Sequence, residues 1–149
     1  MEIALAVAAF LALDFLIWFA LLSVIARLGG WHAVAQRYGT SDEPEGQRFR
    51  WCFAAFRWLD YNGCLTMVVS AEGLYIAIWK LCRIGHPSLL IPWSALHFVK
   101  IHKVWFIHQA FLEVDAPALT TIKIPYRIFE AAKPFLQGLP QDDLPAAAQ

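Results

Sequence analysis

The sequence predicts an N-terminal membrane-spanning helix followed by a mainly-β domain: seven antiparallel strands in a barrel or sandwich, closed by a C-terminal helix. Three observations predict it. Residues 3–26 form a run of 24 in which only Asp14 and Ser23 are not apolar. From Phe49 onward the apolar residues alternate with a period of two and are punctuated by turn formers. After Pro125 the period lengthens to that of a helix. A chain of 149 residues has room for one such domain beside the anchor.

The apolar run would be about 36 Å long as a helix, enough to cross a hydrocarbon core of about 30 Å with some tilt. A cleaved signal peptide is the competing reading. Only Glu2 precedes the run where a positive n-region would be, and Ser23-Val24-Ile25-Ala26 makes a poor cleavage site. An uncleaved anchor is therefore expected over residues 1–30. Arg27 and Arg37 follow the span and no Lys or Arg precedes it, so the positive-inside bias places the following domain in the cytoplasm. The expected location is a bacterial inner membrane, crossed once. Asp14 sits at mid-span, where a carboxyl is costly. It is either a neutral passenger in a strongly apolar helix or a contact for a partner helix, and the sequence leaves both open.

Trp31, Val34, Ala35 and Tyr38 share one helical face, which suggests a short amphipathic helix on the membrane surface, with Trp31 as an interfacial aromatic. Residues 39–47 are turn formers and acids and predict a linker, so 31–46 is taken as interfacial helix plus linker. In the first strand Phe49, Trp51 and Phe53 share one face against Arg48, Arg50 and Cys52. That strand should extend toward Tyr61 and turn at Asn62-Gly63, the strongest short hairpin signal in the chain. Cys64–Ser70 returns from it. Ala71-Glu72-Gly73 supplies a second tight turn, with glycine where a left-handed backbone is wanted. Leu74–Trp79 is the third strand and residues 80–87 a loop. Leu89–Trp93 contains Pro92 and is expected at an edge. Leu96–Lys103 and Trp105–Val114 follow, with a turn near Lys103. Asp115-Ala116-Pro117 then leads into Leu119–Ile124. Ile128, Phe129, Ala132, Phe135 and Leu136 mark a helix that Pro134 should kink or break, with Gly138 as its stop. The tail 139–149 is expected to be flexible.

This order of elements resembles the pleckstrin-homology (PH) superfold, in particular the GRAM and bacterial PH-like branch. Tyr61-Asn62-Gly63-Cys64-Leu65-Thr66, Glu72-Gly73-Leu74-Tyr75 and Gly85-His86-Pro87-Ser88-Leu89-Leu90-Ile91-Pro92-Trp93 also resemble segments of uncharacterised bacterial single-pass membrane proteins. The resemblance covers residues 47–138 and implies a PH-like interaction domain. Phosphoinositide-binding members use bases flanking the first hairpin. Here Asp60-Tyr61-Asn62-Gly63 has only Arg57 nearby, which argues against specific phosphoinositide recognition.

Composition excludes several functions. Twelve Lys and Arg balance twelve Asp and Glu, so the totals give nucleic-acid binding no electrostatic support. Three cysteines, Cys52, Cys64 and Cys82, have no paired close spacing and suit neither a disulfide framework nor a Cys-x-x-Cys metal site. They are expected as small core residues in a reducing compartment. His97, His102 and His108 do not all share strand parity, and no carboxylate completes a ligand set with them. The acid pairs Asp42/Glu43 and Asp142/Asp143 fall in loose segments. There is no nucleophile elbow and no phosphate-binding glycine loop. No catalytic, cofactor-binding or metal-binding residue is assigned.

The expected function is a non-catalytic adaptor tethered to the bilayer by residues 3–26 and engaging a protein partner or a second copy of itself. The alternatives are a tethered enzyme, a small-ligand-binding β-barrel, or an accessory subunit recruited through Asp14. Trp79, Trp93 and Trp105, at strand ends or in short runs, are candidate interface anchors, and Arg83 a candidate surface contact.

Overall fold

The computed structural model describes residues 1–136. The expected Gly138 stop, the tail 139–149 and the Asp142/Asp143 pair lie outside the described residues. Helix α1 spans Glu2–Leu28. It contains an 18-residue window of mean hydropathy 2.5, none of it buried, and is long and apolar enough to cross a membrane. Large apolar side chains from Ile3 to Leu21 stand exposed all round the helix. Only its last turns are covered, with Ala26 buried.

Helix α2 is Trp31–Tyr38. Seven strands follow: β1 (Gly46–Phe56), β2 (Leu59–Ser70), β3 (Gly73–Ile78), β4 (Leu89–Pro92), β5 (Leu96–Val104), β6 (Ile107–Val114) and β7 (Thr120–Pro125). They form one antiparallel sheet in the order β4-β3-β2-β1-β7-β6-β5. The sheet curls into a half-barrel. It does not close, because β4 and β5 are its two edges. Pro92 lies on edge β4, as its missing donor requires. Edge β5 carries Lys100, Lys103 and a bulge between Phe98 and Lys100, features that discourage pairing with a foreign strand. Helix α3 (Tyr126–Ala132) tightens into a 3-10 turn, Lys133–Phe135, at the expected position of Pro134.

One core fills the concave side, where Leu65, Met67, Leu74, Ile76, Ile91, Leu112, Ile122 and Ile124 are fully buried. Both short helices roof the opening that the unclosed sheet leaves. α3 contributes Ile128, Phe129 and Ala132, and Phe135 beyond it stacks on Trp93 at 5.4 Å. α2 reaches from β4 to the β6–β7 turn. Both attachments are at its C-terminal end. On one side Gly39 pairs with Leu89 and the Thr40 N–H donates to the Ser88 carbonyl at 2.8 Å. On the other, Asp115 accepts from Arg37 at 2.8 Å and from the Tyr38 hydroxyl at 2.5 Å.

Several local expectations are corrected. The apolar face of α2 packs into the domain, where Trp31 and Val34 are fully buried in the core, so Trp31 is a core residue and not an exposed interfacial aromatic. Gly39 belongs to a β-bridge and not to a free linker. The first hairpin turns at Arg57-Trp58, not at Asn62-Gly63. Phe56 pairs with both Leu59 and Ile122, and the Arg57 N–H donates to the Thr121 carbonyl at 2.8 Å, so pairing with β7 ends β1 there. Gly63 keeps its left-handed backbone, φ 66°, but inside β2. The pairs Cys52↔Leu65 and Ala54↔Tyr61 leave Asn62, Gly63 and Cys64 bulged opposite Phe53.

A second bulge sits in β1. Phe49↔Met67 and Cys52↔Leu65 leave Arg50 and Trp51 facing Thr66 alone. The extra residue reverses the alternation, so Cys52 turns inward and is buried while Trp51 turns out and is 72% exposed. Trp51 takes φ 54°, a left-handed conformation that costs a non-glycine residue about 1–2 kcal/mol. Gly73 is not left-handed. Its constraint is proximity, since a β-carbon there would collide with the Ile91 carbonyl across the β3–β4 pair.

Candidate functional site

Two arrangements carry polar chemistry near the end of α1. The first is buried. Tyr61, on β2 just before its bulge, meets His86 from the loop between β3 and β4, with Oη 3.0 Å from Nε2. His86 Nδ1 lies 3.1 Å from the Ile84 carbonyl. A neutral ring that donates from Nδ1 and accepts the tyrosine proton at Nε2 satisfies every partner. Trp31 lies across the pair, its centroid 5.3 Å from Tyr61 and 5.2 Å from His86, and donates Nε1–H to the Pro87 carbonyl at 2.9 Å. Burial holds His86 below the usual imidazole range and pushes the Tyr61 phenol up. Both stay uncharged near neutral pH. The pair therefore joins α2, β2 and the β3–β4 loop into one body.

The second arrangement is open. A groove of about 340 Å³ runs over the convex face of β1, β2 and β3. Tyr75 and Ala77 form part of its floor, and Trp51 and Trp79 form its aromatic walls, Trp79 being 55% exposed. Arg48, Arg50, Lys80 and Arg83 line it too. Arg48 is ion-paired with Glu43 of the segment before β1. Among the described residues Arg50, Lys80 and Arg83 have no carboxylate partner.

The sequence-predicted residues thus separate. Trp79 and Arg83 meet in this groove. Trp105 is 89% exposed and lies elsewhere, at the β5–β6 turn beside Phe106. Trp93 is buried, its Nε1–H donating to the Ser70 carbonyl at 2.9 Å, and belongs to the core. Asp14 is exposed on α1, far along the chain from either arrangement. Sequence reasoning missed Trp51 and Arg50 as groove residues, because strict alternation turns Trp51 inward. The Tyr61–His86 pair has no signal in the sequence, because nothing local joins residues 25 apart.

His97 lies opposite Glu113, His102 meets the edge of Phe111, and His108 packs on Tyr126. Among the described residues no group of three or more His, Cys, Asp or Glu side chains could hold a metal ion. Burial pushes the thiols of Cys52 and Cys64 up, away from the thiolate form a nucleophile needs. Neither a protein-family model, nor a curated protein, nor a solved structure matches this chain. What the molecule itself shows is an N-terminal helix able to cross a membrane, joined to a seven-stranded antiparallel half-barrel with a short helix after its last strand.

Proposed function

We propose that the chain is a membrane-anchored, non-catalytic adaptor that presents a PH-like β domain at the cytoplasmic face of a bacterial inner membrane. The junction between anchor and domain carries this reading. Ala26 and Gly29 at the end of α1 are buried, and Trp31, two residues on, lies in the core of the domain. The domain is therefore clasped to its anchor instead of swinging on a linker, and its position above the bilayer is set by α1. The order of seven strands followed by a short helix supports the PH-like reading. Arg27 and Arg37 support the orientation. Raised thiol pKa values and a fully satisfied Tyr61–His86 pair support a role without chemistry.

A fusion after Gln149 to a reporter active only outside the cytoplasm tests the topology. The fusion should be silent, and strong activity would overturn the orientation.

Asp14 favours one additional reading, that of an accessory subunit. A carboxyl exposed at mid-span is costly in lipid, and a polar group on a neighbouring helix would relieve that cost. Asp14→Leu should then release a co-purifying membrane protein, or a second copy of the chain, while leaving membrane insertion intact.

A further inference from the structure

The loop that supplies two of the convex groove's bases, Lys80 and Arg83, packs through Gly85 against the last turns of α1. Ser23 is about 20 residues past Ile3, about 30 Å along the helix and hence at the edge of the hydrocarbon layer. The β3–β4 loop lies against it there, so close that a β-carbon on Gly85 would stand 3.1 Å from Ser23 Cα. Lys80 and Arg83 are on the same loop, and Leu81 between them is exposed. The loop therefore sits at headgroup depth with its bases beside the phosphate plane. The β1 bulge brings Trp51 and Arg50 to the same groove, and it holds Trp51 in a left-handed conformation to do so. A strained tryptophan swung outward beside three unpaired bases is the arrangement an amphipathic anion would fit, with its charge on the bases and its apolar part on the rings.

We propose that this groove takes the headgroup of an anionic phospholipid from the leaflet in which α1 ends. The proposal rests on α1 anchoring the chain as proposed above. An acidic protein segment would meet the same charges. Lipid is favoured because the loop carrying Lys80 and Arg83 packs on α1 at Ser23, the level at which a spanning α1 would leave the hydrocarbon. Arg50, Lys80 and Arg83 bind the phosphate, and Trp51 and Trp79 lie against the glycerol and upper acyl region. Glu43 competes for the same field through its ion pair with Arg48. The site differs from the first-hairpin position of phosphoinositide-binding PH domains, since it uses the outer face of the sheet and a bulge.

The test uses the full chain in nanodiscs of three parts phosphatidylcholine to one part phosphatidylglycerol. Native mass spectrometry counts the lipids that leave the disc with the protein. The wild type should retain phosphatidylglycerol above its bulk share. Arg50→Gln, Lys80→Gln and Arg83→Gln together should abolish that enrichment, and Arg83→Gln alone should weaken retention about fivefold, the loss expected for one basic residue near an anionic surface. Trp51→Ala should reduce it with the charges intact. Equal enrichment in the wild type and the Arg83→Gln variant overturns the proposal. So does displacement of the lipid by inorganic phosphate at matched ionic strength, or by an acidic peptide at lower concentration than phosphatidylglycerol. Protein found embedded in the disc but without enrichment refutes the groove and leaves the anchor standing; protein absent from the disc refutes the anchor.

Discussion

Replacing Trp31 distinguishes most directly between the local pattern of the chain and its folded structure. By position alone, just beyond an apolar helix, Trp31 belongs among interfacial aromatics, and Trp31→Ala would leave the domain as stable as before. In the structure it is fully buried, with ring centroids 4.7 Å from Phe56, 5.3 Å from Tyr61 and 5.2 Å from His86. Truncating a buried tryptophan to alanine costs about 3–5 kcal/mol. Against a total stability of about 5–15 kcal/mol, that is a large fraction. The Pro87 carbonyl also loses its indole donor at 2.9 Å, and an orphaned buried acceptor costs about 1–3 kcal/mol. Trp31→Phe separates the contributions, since it keeps much of the packing and removes only the N–H and part of the volume. It should cost about 2 kcal/mol. Trp105→Ala, at a residue 89% exposed, should stay within about 0.5 kcal/mol of wild type. The assay is a denaturant titration of the full chain in mild detergent, followed by circular dichroism. Equal midpoints for Trp31→Ala and Trp105→Ala would refute the shared core of α2 and the sheet.

Gly73→Val should destabilise by about 1–3 kcal/mol through collision with the Ile91 backbone, and Gly73→Ala should do much the same, because any β-carbon meets that carbonyl; a tolerated alanine in the same titration would mean β3 and β4 are not paired as described. Gly39→Val should also cost stability, since its β-carbon would lie 2.5 Å from the Ala35 carbonyl, and an unchanged midpoint would return Gly39 to a free linker. Tyr61→Phe leaves His86 Nε2 buried without a donor and should cost about 1–3 kcal/mol by chemical denaturation, whereas a neutral result would break the proposed pair. His86 has a folded pKa below its unfolded value, so below about pH 6.5 the unfolded chain binds the extra proton. Its contribution is complete above that pH and is lost as the pH falls through the folded value, by at most about 1.4 kcal/mol per unit. A stability profile between pH 7 and 5 should therefore slope downward in the wild type and flatten in His86→Phe; identical slopes would mean the imidazole is solvated.

Properties that depend on a residue and its near neighbours were legible in the sequence. The apolar run from Ile3 to Ala26 defines α1 whatever the rest of the chain does, because its apolar side chains alone decide whether it prefers lipid. Seven strands could be counted from the period-two alternation. Pro92 marked an edge, and Pro134 the end of α-helical geometry, because a missing N–H acts locally. Pairing across the sheet decided the remainder. The Asn62-Gly63 turn signal was strong, yet pairing of β1 with β7 placed the turn at Arg57-Trp58, and the left-handed glycine was accommodated in a bulge. One extra residue in β1 reversed the faces of Trp51 and Cys52, which periodicity cannot register because it assumes an unbroken ladder. Trp31, Tyr61 and His86 come together from separate elements, and Trp51, Trp79 and Arg83 do so on the opposite face of the sheet. Local sequence determines which elements form and which of them is apolar enough to cross a membrane, because those properties are set within a few residues. Register, bulges and the grouping of side chains arise from contacts between distant segments, and only the assembled sheet decides them.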